Sequence, residues 1–288
     1  MPAEPAPIVD AHQHFWHYTA ADYGWIDDSM AMLRRDFLPA DLGAAMQTAV
    51  VSRSIAVQAR QSIEETDWLL DLARQHDIIA GVVGWAPLAD SAALASFLSE
   101  HAAASALVGL RHVLQAEPDG FLDAPAFNDG TASLLGTGLV YDILIFERQL
   151  AEAIRFVDRH PDQTFVLDHI AKPRIADAVI EPWRTRMLDL ARRPNVVCKV
   201  SGMVTEAGPG WTTDSLRPYF DTVVEAFGPQ RLMVGSDWPV CLAASGYQQW
   251  WETLRGYFSG FTSAERDAIF GGTAASIYLQ NSRGRTTA

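Results

Sequence analysis

The chain has 288 residues, 49% of them apolar and 20% charged, which is enough for a sizeable buried core. Its 35 acidic residues outnumber the 22 basic ones, and the formal charge of −13 argues against a nucleic-acid partner, since gripping phosphates needs clustered Lys and Arg. No run approaches the roughly 18 apolar residues of a membrane span, and the opening MPAEPAP lacks the basic and apolar regions of a secretory signal.

Only two cysteines, Cys198 and Cys241, are present, so no disulfide framework is expected and a reducing, cytoplasmic location is.

In chain order, short β-branched runs recur from end to end. They read PIVDAH (7–12), SRSIAVQA (52–59), IIAGVVGWA (78–86), ALVGLRHV (106–113), GLVYDILI (138–145), TFVLDHI (164–170), NVVCKVSG (195–202) and RLMVGSDW (231–238). Their near-continuous apolarity predicts eight strands covered on both faces. Helical spacing fills the gaps. SIEETDWLLDLARQH (62–76) opens with Ser62 and has Glu65 three residues on, a capping-box pattern. FERQLAEAIRFVDRHP (146–161) stops at a proline, PWRTRMLDLARRP (182–194) has proline at both ends, and LRPYFDTVVEAFG (216–228) ends in glycine. This alternation predicts an α/β fold, a single-domain (β/α)8 TIM barrel spanning 1–288. The long loop from Phe15 to Pro39 is expected over the active-site face, and the last helices, from Tyr247 to about Leu279, below or beside the barrel.

Barrels of this kind carry their chemistry at the C-terminal ends of the strands. Those ends offer His12 and His14, Gln58 and Arg60, Trp85, Arg111 and His112, Tyr141 and Asp142, Asp168 and His169, Lys199 and Ser201, and Ser236, Asp237 and Trp238. His12 and His14 stand at i and i+2, so both should face one point. His12, His14, His169 and Asp237 form the candidate centre, since four independent placements at one rim are hard to ascribe to chance. Blander readings apply elsewhere. Lys199 reads equally well as a rim cation. Asp142 and Asp168 read as residues turned into the strand–helix layer to cap backbone N–H groups. His17, His76, His101 and His160 are assigned no role.

With these residues in view, the chain resembles the amidohydrolase superfamily, specifically its sugar-lactonase branch of L-fuconolactonases and L-rhamnonolactonases. The resemblance covers essentially the full length. It rests on DAHQHFW (10–16), YGW (23–25), RDFLPADL (35–42), VQA (57–59), GWAPL (84–88), GLRHVLQ (109–115), LDHIAKP (167–173), KVSGM (199–203) and GSDWPV (235–240). It implies hydrolysis of the ring ester of an aldonolactone, best L-fucono-1,5-lactone or a related L-sugar lactone, with His12, His14, His169 and Asp237 at the centre. Binuclear members of the superfamily carry a bridging residue on strand four and a histidine on strand five. Arg111, His112 and Tyr141 stand there instead, so a bridged metal pair is not expected.

One divalent ion, zinc first, could be held by His12, His14 and Asp237, because imidazole and carboxylate suit zinc. The resemblance also implies that related lactonases work without metal, and no organic cofactor is expected. For the reaction, Asp237 is assigned the role of general base toward water, with His12, His14 and His169 orienting water and carbonyl or ligating the ion. Arg111 is assigned to the oxyanion or a substrate oxygen. Substrate contacts are further expected from Gln58, His112, Tyr141, Trp25 and Trp238, with Trp16 and Trp85 as additional pocket walls. The partner is then a small sugar lactone, with neither nucleic acid nor membrane, and a homo-oligomer stays open. Rival readings are a metal-dependent decarboxylase, a dicarboxylate lactonase, which would want several arginines where the rim offers Arg111 and Arg60, and a degenerate barrel that only binds.

Overall fold

The structure is a computed structural model and describes residues 7–280; apart from Pro7, the MPAEPAP opening lies outside them. The eight expected strands are present as β1 (Val9–Gln13), β2 (Arg53–Val57), β3 (Ile79–Gly84), β4 (Leu107–Val113), β5 (Val140–Leu144), β6 (Phe165–Leu167), β7 (Val196–Val200) and β8 (Leu232–Val234). Each pairs in parallel with the next, in the order β1 to β8. Parallel neighbours demand crossovers, and helices supply them. They are α1 (Pro39–Ala49), α2 (Ile63–Gln75), α3 (Ser91–Glu100), α4 (Pro125–Ala132), α5 (Leu150–Arg159), α6 (Trp183–Leu190), then α7 (Met203–Ala207) and α8 (Thr213–Phe227), followed after β8 by α9 (Tyr247–Tyr257) and α10 (Ser263–Asp267). The ring is drawn nearly shut beyond the end of β8. There the Asp237 N–H donates to the His12 carbonyl at 2.8 Å and the His14 N–H to the Trp238 carbonyl at 2.7 Å.

The barrel interior is a compact apolar plug. Val9, Ala11, Ile55, Val57, Val83, Val108, Val140, Val166, Val197 and Met233 reach it from all eight strands. Ala274 and Tyr278, from the segment after α10, join the same cluster. That segment is thus part of the barrel's filling rather than merely packed beside it. A larger apolar layer lies between strands and helices, including Leu110, Tyr141, Phe156, Phe165 and Trp183.

Predicted strands run longer than observed ones, most of all RLMVGSDW, whose strand stops at Val234, and TFVLDHI, whose strand ends at Leu167. The next residues leave the sheet: His169, Ile170, Ala171 and Lys172 all have φ between 47° and 60°. Helices α1, α3 and α4 were not anticipated; α3 is capped by Asp90, whose carboxylate accepts from the N–H groups of Ala92 and Ala93, while α1 and α4 begin with proline. The capping box of α2 is half formed. Ser62 Oγ accepts from Glu65 N–H, but the Glu65 carboxylate turns away to the N–H groups of Ala59 and Arg60.

Candidate active site

β1 delivers the first two imidazoles. Its register with β2 shifts between Asp10 and Gln13, so His14 lies just past the strand, yet His12 Nε2 and His14 Nε2 come within 3.2 Å, as the i, i+2 spacing predicts. Each ring is steered from behind. The His14 Nδ1–H donates to the Val57 carbonyl at 2.8 Å, leaving Nε2 as the inward atom. Next to them the chain leaving β8 turns sharply, and Asp237 adopts φ 57°. A non-glycine residue held in that region stores about 1–3 kcal/mol, offset here by the backbone bonds of Asp237 N–H to His12 and of Cys241 N–H to Asp237. The strained turn aims Asp237 Oδ1 at the histidines, 3.3 Å from His14 Nε2 and 3.8 Å from His12 Nε2. Ser236 ties this corner to β1, donating through N–H and Oγ to Asp10.

His169 completes the cluster from the left-handed run after β6. Its Nε2 is 3.8 Å from Asp237 Oδ1, and its Nδ1 meets Ser201 Oγ at 2.9 Å. Two glycines make room for these rings. A Cβ on Gly202 would sit 2.7 Å from His169 Nδ1, and one on Gly235 would sit 2.7 Å from His12 Cβ. The glycines quoted from KVSGM and GSDWPV are therefore steric requirements of the site.

Electrostatics make Asp237 the anion of the group and keep the His12 and His169 rings neutral. Burial alone would raise the Asp237 pKa, but His169, the hydrogen bond from His14 and the field of His12 outweigh it, holding the carboxyl well below its ordinary range. Burial drives His169 down to about 4, only partly opposed by Asp237 and Asp168. His12, fully buried, is likewise pushed well below the ordinary imidazole value.

Arg111 lies against the cluster, with Nη1 at 3.0 Å from Asp168 Oδ2 and 3.3 Å from His12 Nε2, and with Nη2 on the Gln58 carbonyl. Its Nε is buried without a partner. Asp168 and Asp142 correct the expectation that they serve the strand–helix layer. The β4–β5 register pairs Arg111 with Asp142, so both point inward. Lys199 is no rim cation: it is fully buried and reaches Asp142 Oδ2 at 2.5 Å and Asp168 Oδ1 at 3.0 Å. Lys199, His12 and Arg111 overcome the burial penalty and hold Asp168 well below the usual carboxylate range, whereas burial, partly offset by Lys199, pushes Asp142 up to about 6. Two carboxylates thus face two cations, and Asp237 is left as the net negative charge at the mouth.

A cavity of about 130 Å³ opens onto these atoms, lined among others by His14, Trp25, Arg111, His169, Lys172 and Asp237. It is well under the roughly 300–1,000 Å³ of drug-sized pockets and suits a single small ring. Depressions of about 580 and 450 Å³ occur elsewhere, the first lined by residues of α8 and α9, but neither includes the imidazoles.

Several expected substrate contacts are corrected. Tyr141 is fully buried among Phe127, Phe156 and Phe165 in the outer layer, because its register partner Leu110 also faces outward. His112 is spent on Glu117 at 2.7 Å and on the Trp85 indole N–H, and stacks on Phe121. Trp238 packs on Phe15 and Phe37, and Trp16 is fully buried with its indole on the Arg35 carbonyl. Of the four tryptophans considered, Trp25 lines the cavity. Gln58 is fully buried and does not line the cavity; it donates to the Arg111 carbonyl and its Oε1 is unpaired. Sequence reasoning missed Lys172 and Gln115, although both stand inside quoted motifs, LDHIAKP and GLRHVLQ. Lys172 pairs with Glu206 at 3.4 Å, and Gln115 Oε1 is buried and unpaired.

The sequence matches the amidohydrolase family over residues 9–279. The chain belongs to the amidohydrolase family. Among its relatives, a Burkholderia multivorans protein named L-fucono-1,5-lactonase is 44% identical, over 94% of this chain and 95% of its own length. A Burkholderia ambifaria protein of the same name is 36% identical, over 94% of each chain. A crystal structure of a Burkholderia multivorans amidohydrolase with bound zinc is similar at a TM-score of 0.88 and 44% identity, covering 95% of this chain and 99% of that one.

Whether this amidohydrolase's own residues fit a metal can be judged from donor spacing. Bonds of about 2.0–2.1 Å in a tetrahedron put ligand atoms roughly 3.3–3.4 Å apart. The donors of His12, His169 and Asp237 all lie within 4.8 Å of one another, and His14 Nε2 is 3.2–3.3 Å from two of those residues. The set fits zinc. The expected trio of His12, His14 and Asp237 lies within this set, and His169 is a further donor within reach.

Proposed function

We propose that this amidohydrolase opens the ring ester of a sugar lactone, L-fucono-1,5-lactone being the leading candidate, to give the free aldonic acid. The observation that carries the reading is the convergence of one unprotonated carboxylate, three imidazoles and a guanidinium on a cavity sized for one small ring. In this reading Asp237 takes a proton from water as its oxygen bonds to the lactone carbonyl carbon. It then returns that proton to the ring oxygen as the ring C–O bond breaks. Arg111, whose Nε has no protein partner, donates to the carbonyl oxygen as it turns negative. His12, His14 and His169 hold the water and carbonyl in register beside Asp237. Zinc, held by His12, His169 and Asp237 with His14 beside them, would supply Lewis-acid polarisation of the carbonyl when bound.

Recognition of an uncharged polyol is supported by the wall. Trp25 offers an aromatic face to sugar C–H groups, and the unpaired Gln115 Oε1 awaits a hydroxyl donor. The two cations in the wall are already paired, Arg111 with Asp168 and Lys172 with Glu206, which disfavours a dicarboxylate or an aromatic acid. The described helices include none long and apolar enough to cross a membrane, and the cytoplasm is the proposed location. A pH-stat screen of aldonolactones, with chelator and with added zinc, tests the reading. Acid release from a 6-deoxyhexono-1,5-lactone is expected; no acid from any sugar lactone under either condition would overturn it.

A further inference from the structure

Besides its imidazoles, the cavity is lined by three charged side chains, Arg111, Lys172 and Asp237. Arg111 is balanced from behind by Asp168 at 3.0 Å. Lys172 is balanced by Glu206, whose Oε1 lies 3.4 Å from Nζ. Asp237 faces the imidazoles instead. Two cations are thus matched by two carboxylates, and the wall keeps the negative charge of Asp237. Glu206 is not part of that wall and touches it through Lys172.

The fold builds this pair from two segments that already serve the site. Lys172 ends the left-handed run that carries His169, with φ 47°, and its N–H returns to the His169 carbonyl at 2.8 Å. Glu206 stands on α7, the short helix that begins at Gly202, and its carbonyl accepts from Ala176 N–H at 3.1 Å. The two side chains are only 17% and 22% exposed, so solvent and salt screen their attraction weakly. The Phe146 ring, 5.9 Å from Lys172 Nζ, offers the ammonium a second support.

Opening an uncharged lactone creates a carboxylate where the ester stood. An unmatched ammonium in the wall would retain that product and would draw in lactones that carry an acid group. We propose that Glu206 is a specificity-determining residue that neutralises Lys172, so that the cavity accepts uncharged lactones, turns carboxylates away and releases its acid product. The proposal rests on the reading of this cavity as a lactone site and adds the residue that sets its charge.

The test is a gain of binding, which a merely structural role for Glu206 would not produce. Acetate, malonate and a 6-deoxyhexonate are titrated calorimetrically into the full chain with chelator present. A pH of about 8 keeps Glu206 ionised, although burial, opposed by Lys172, raises its carboxyl above the ordinary range. Each anion is expected to bind Glu206→Gln about 10-fold more tightly than wild type, with the gain shrinking as salt is added. The double variant Lys172→Met/Glu206→Gln should return to within about 2-fold of wild type, because the exposed ammonium is gone. In turnover, Glu206→Gln should raise kcat/KM for a hexarolactone, which bears a carboxylate, about 10-fold relative to an uncharged lactone. Glu206→Ala bares the same ammonium and provides the check if Glu206→Gln does not fold. Carboxylate affinities unchanged in both single variants, or a gain that persists without Lys172, would overturn the proposal. Failure of the wild type to open any lactone would overturn the functional reading, whereas the carboxylate affinities, read without turnover, bear on Glu206 alone.

Discussion

Replacing Gly202 with alanine separates the steric role of a glycine from its conformational one, because the same short helix supplies the control. Gly202 and Gly208 flank α7 with φ/ψ of 67°/−2° and 74°/177°, so alanine at Gly202 pays the left-handed penalty of about 1–2 kcal/mol, and at Gly208, in a region almost reserved for glycine, at least as much. At Gly208 a Cβ meets nothing within 4 Å, whereas at Gly202 it meets His169 Nδ1 at 2.7 Å, Cγ at 2.8 Å and Cβ at 2.9 Å. Restoring ordinary contact near 3.4 Å requires the ring to retreat by 3.4 − 2.7, or about 0.7 Å. A displacement of about 1 Å can cost on the order of 10²-fold, so Gly202→Ala is expected to lose roughly 10–100-fold in turnover. Both variants should melt a few degrees lower, at about 2–4 °C per kcal/mol. Initial rates on the lactone that the wild type hydrolyses best, with thermal melts of each variant, make the measurement. If Gly202→Ala proves as active as Gly208→Ala, the steric account of His169 placement fails.

Asp237→Asn keeps the shape of the turn and removes the base, so kcat is expected to drop by about 10²–10⁴ with the melting temperature little changed; turnover above a few per cent of wild type would show that another group takes the proton. Stability should also carry a pH signature from Glu65, a buried carboxyl that accepts from Ala59 N–H, Arg60 N–H and Tyr23 Oη. Burial pushes its pKa up to about 7, from an ordinary 4.5. The unfolded chain then releases the proton first, so stability is full below about 4.5 and declines as pH rises to about 7. That difference amounts to about 3 kcal/mol. Denaturant titrations across this range should show a smaller decline in Glu65→Gln than in wild type, and an identical decline would refute the assignment.

Period and residue type carried much of this protein without any tertiary information. Eight apolar runs separated by helical stretches specify a parallel barrel, because strands covered on both faces and joined by crossovers have few other closed arrangements. The fold's rule that chemistry gathers at strand ends then selected His12, His14, His169 and Asp237, and these four do converge. Even the i, i+2 spacing of the first pair survived the irregular end of β1.

Which way a given side chain faces was decided only when the strands were in register. Asp142 and Tyr141 are adjacent in sequence, and either could have faced the pocket. Pairing of β5 with β4 turns Asp142 inward beside Arg111 and Tyr141 outward into the aromatic layer, since a step of one residue reverses the face. Lys199 is turned into the barrel for the same reason, since it pairs with Met233 of β8. Tyr278 could not be foreseen at all: its hydroxyl meets Asp142 across 136 positions of chain, and such a contact leaves no local pattern. Sequence determined which chemical groups were available and at which end of the barrel they stand, because burial pattern and helical period are local properties. The tertiary structure decided their partners and protons, because register, closure and the low-dielectric interior are properties of the whole ring.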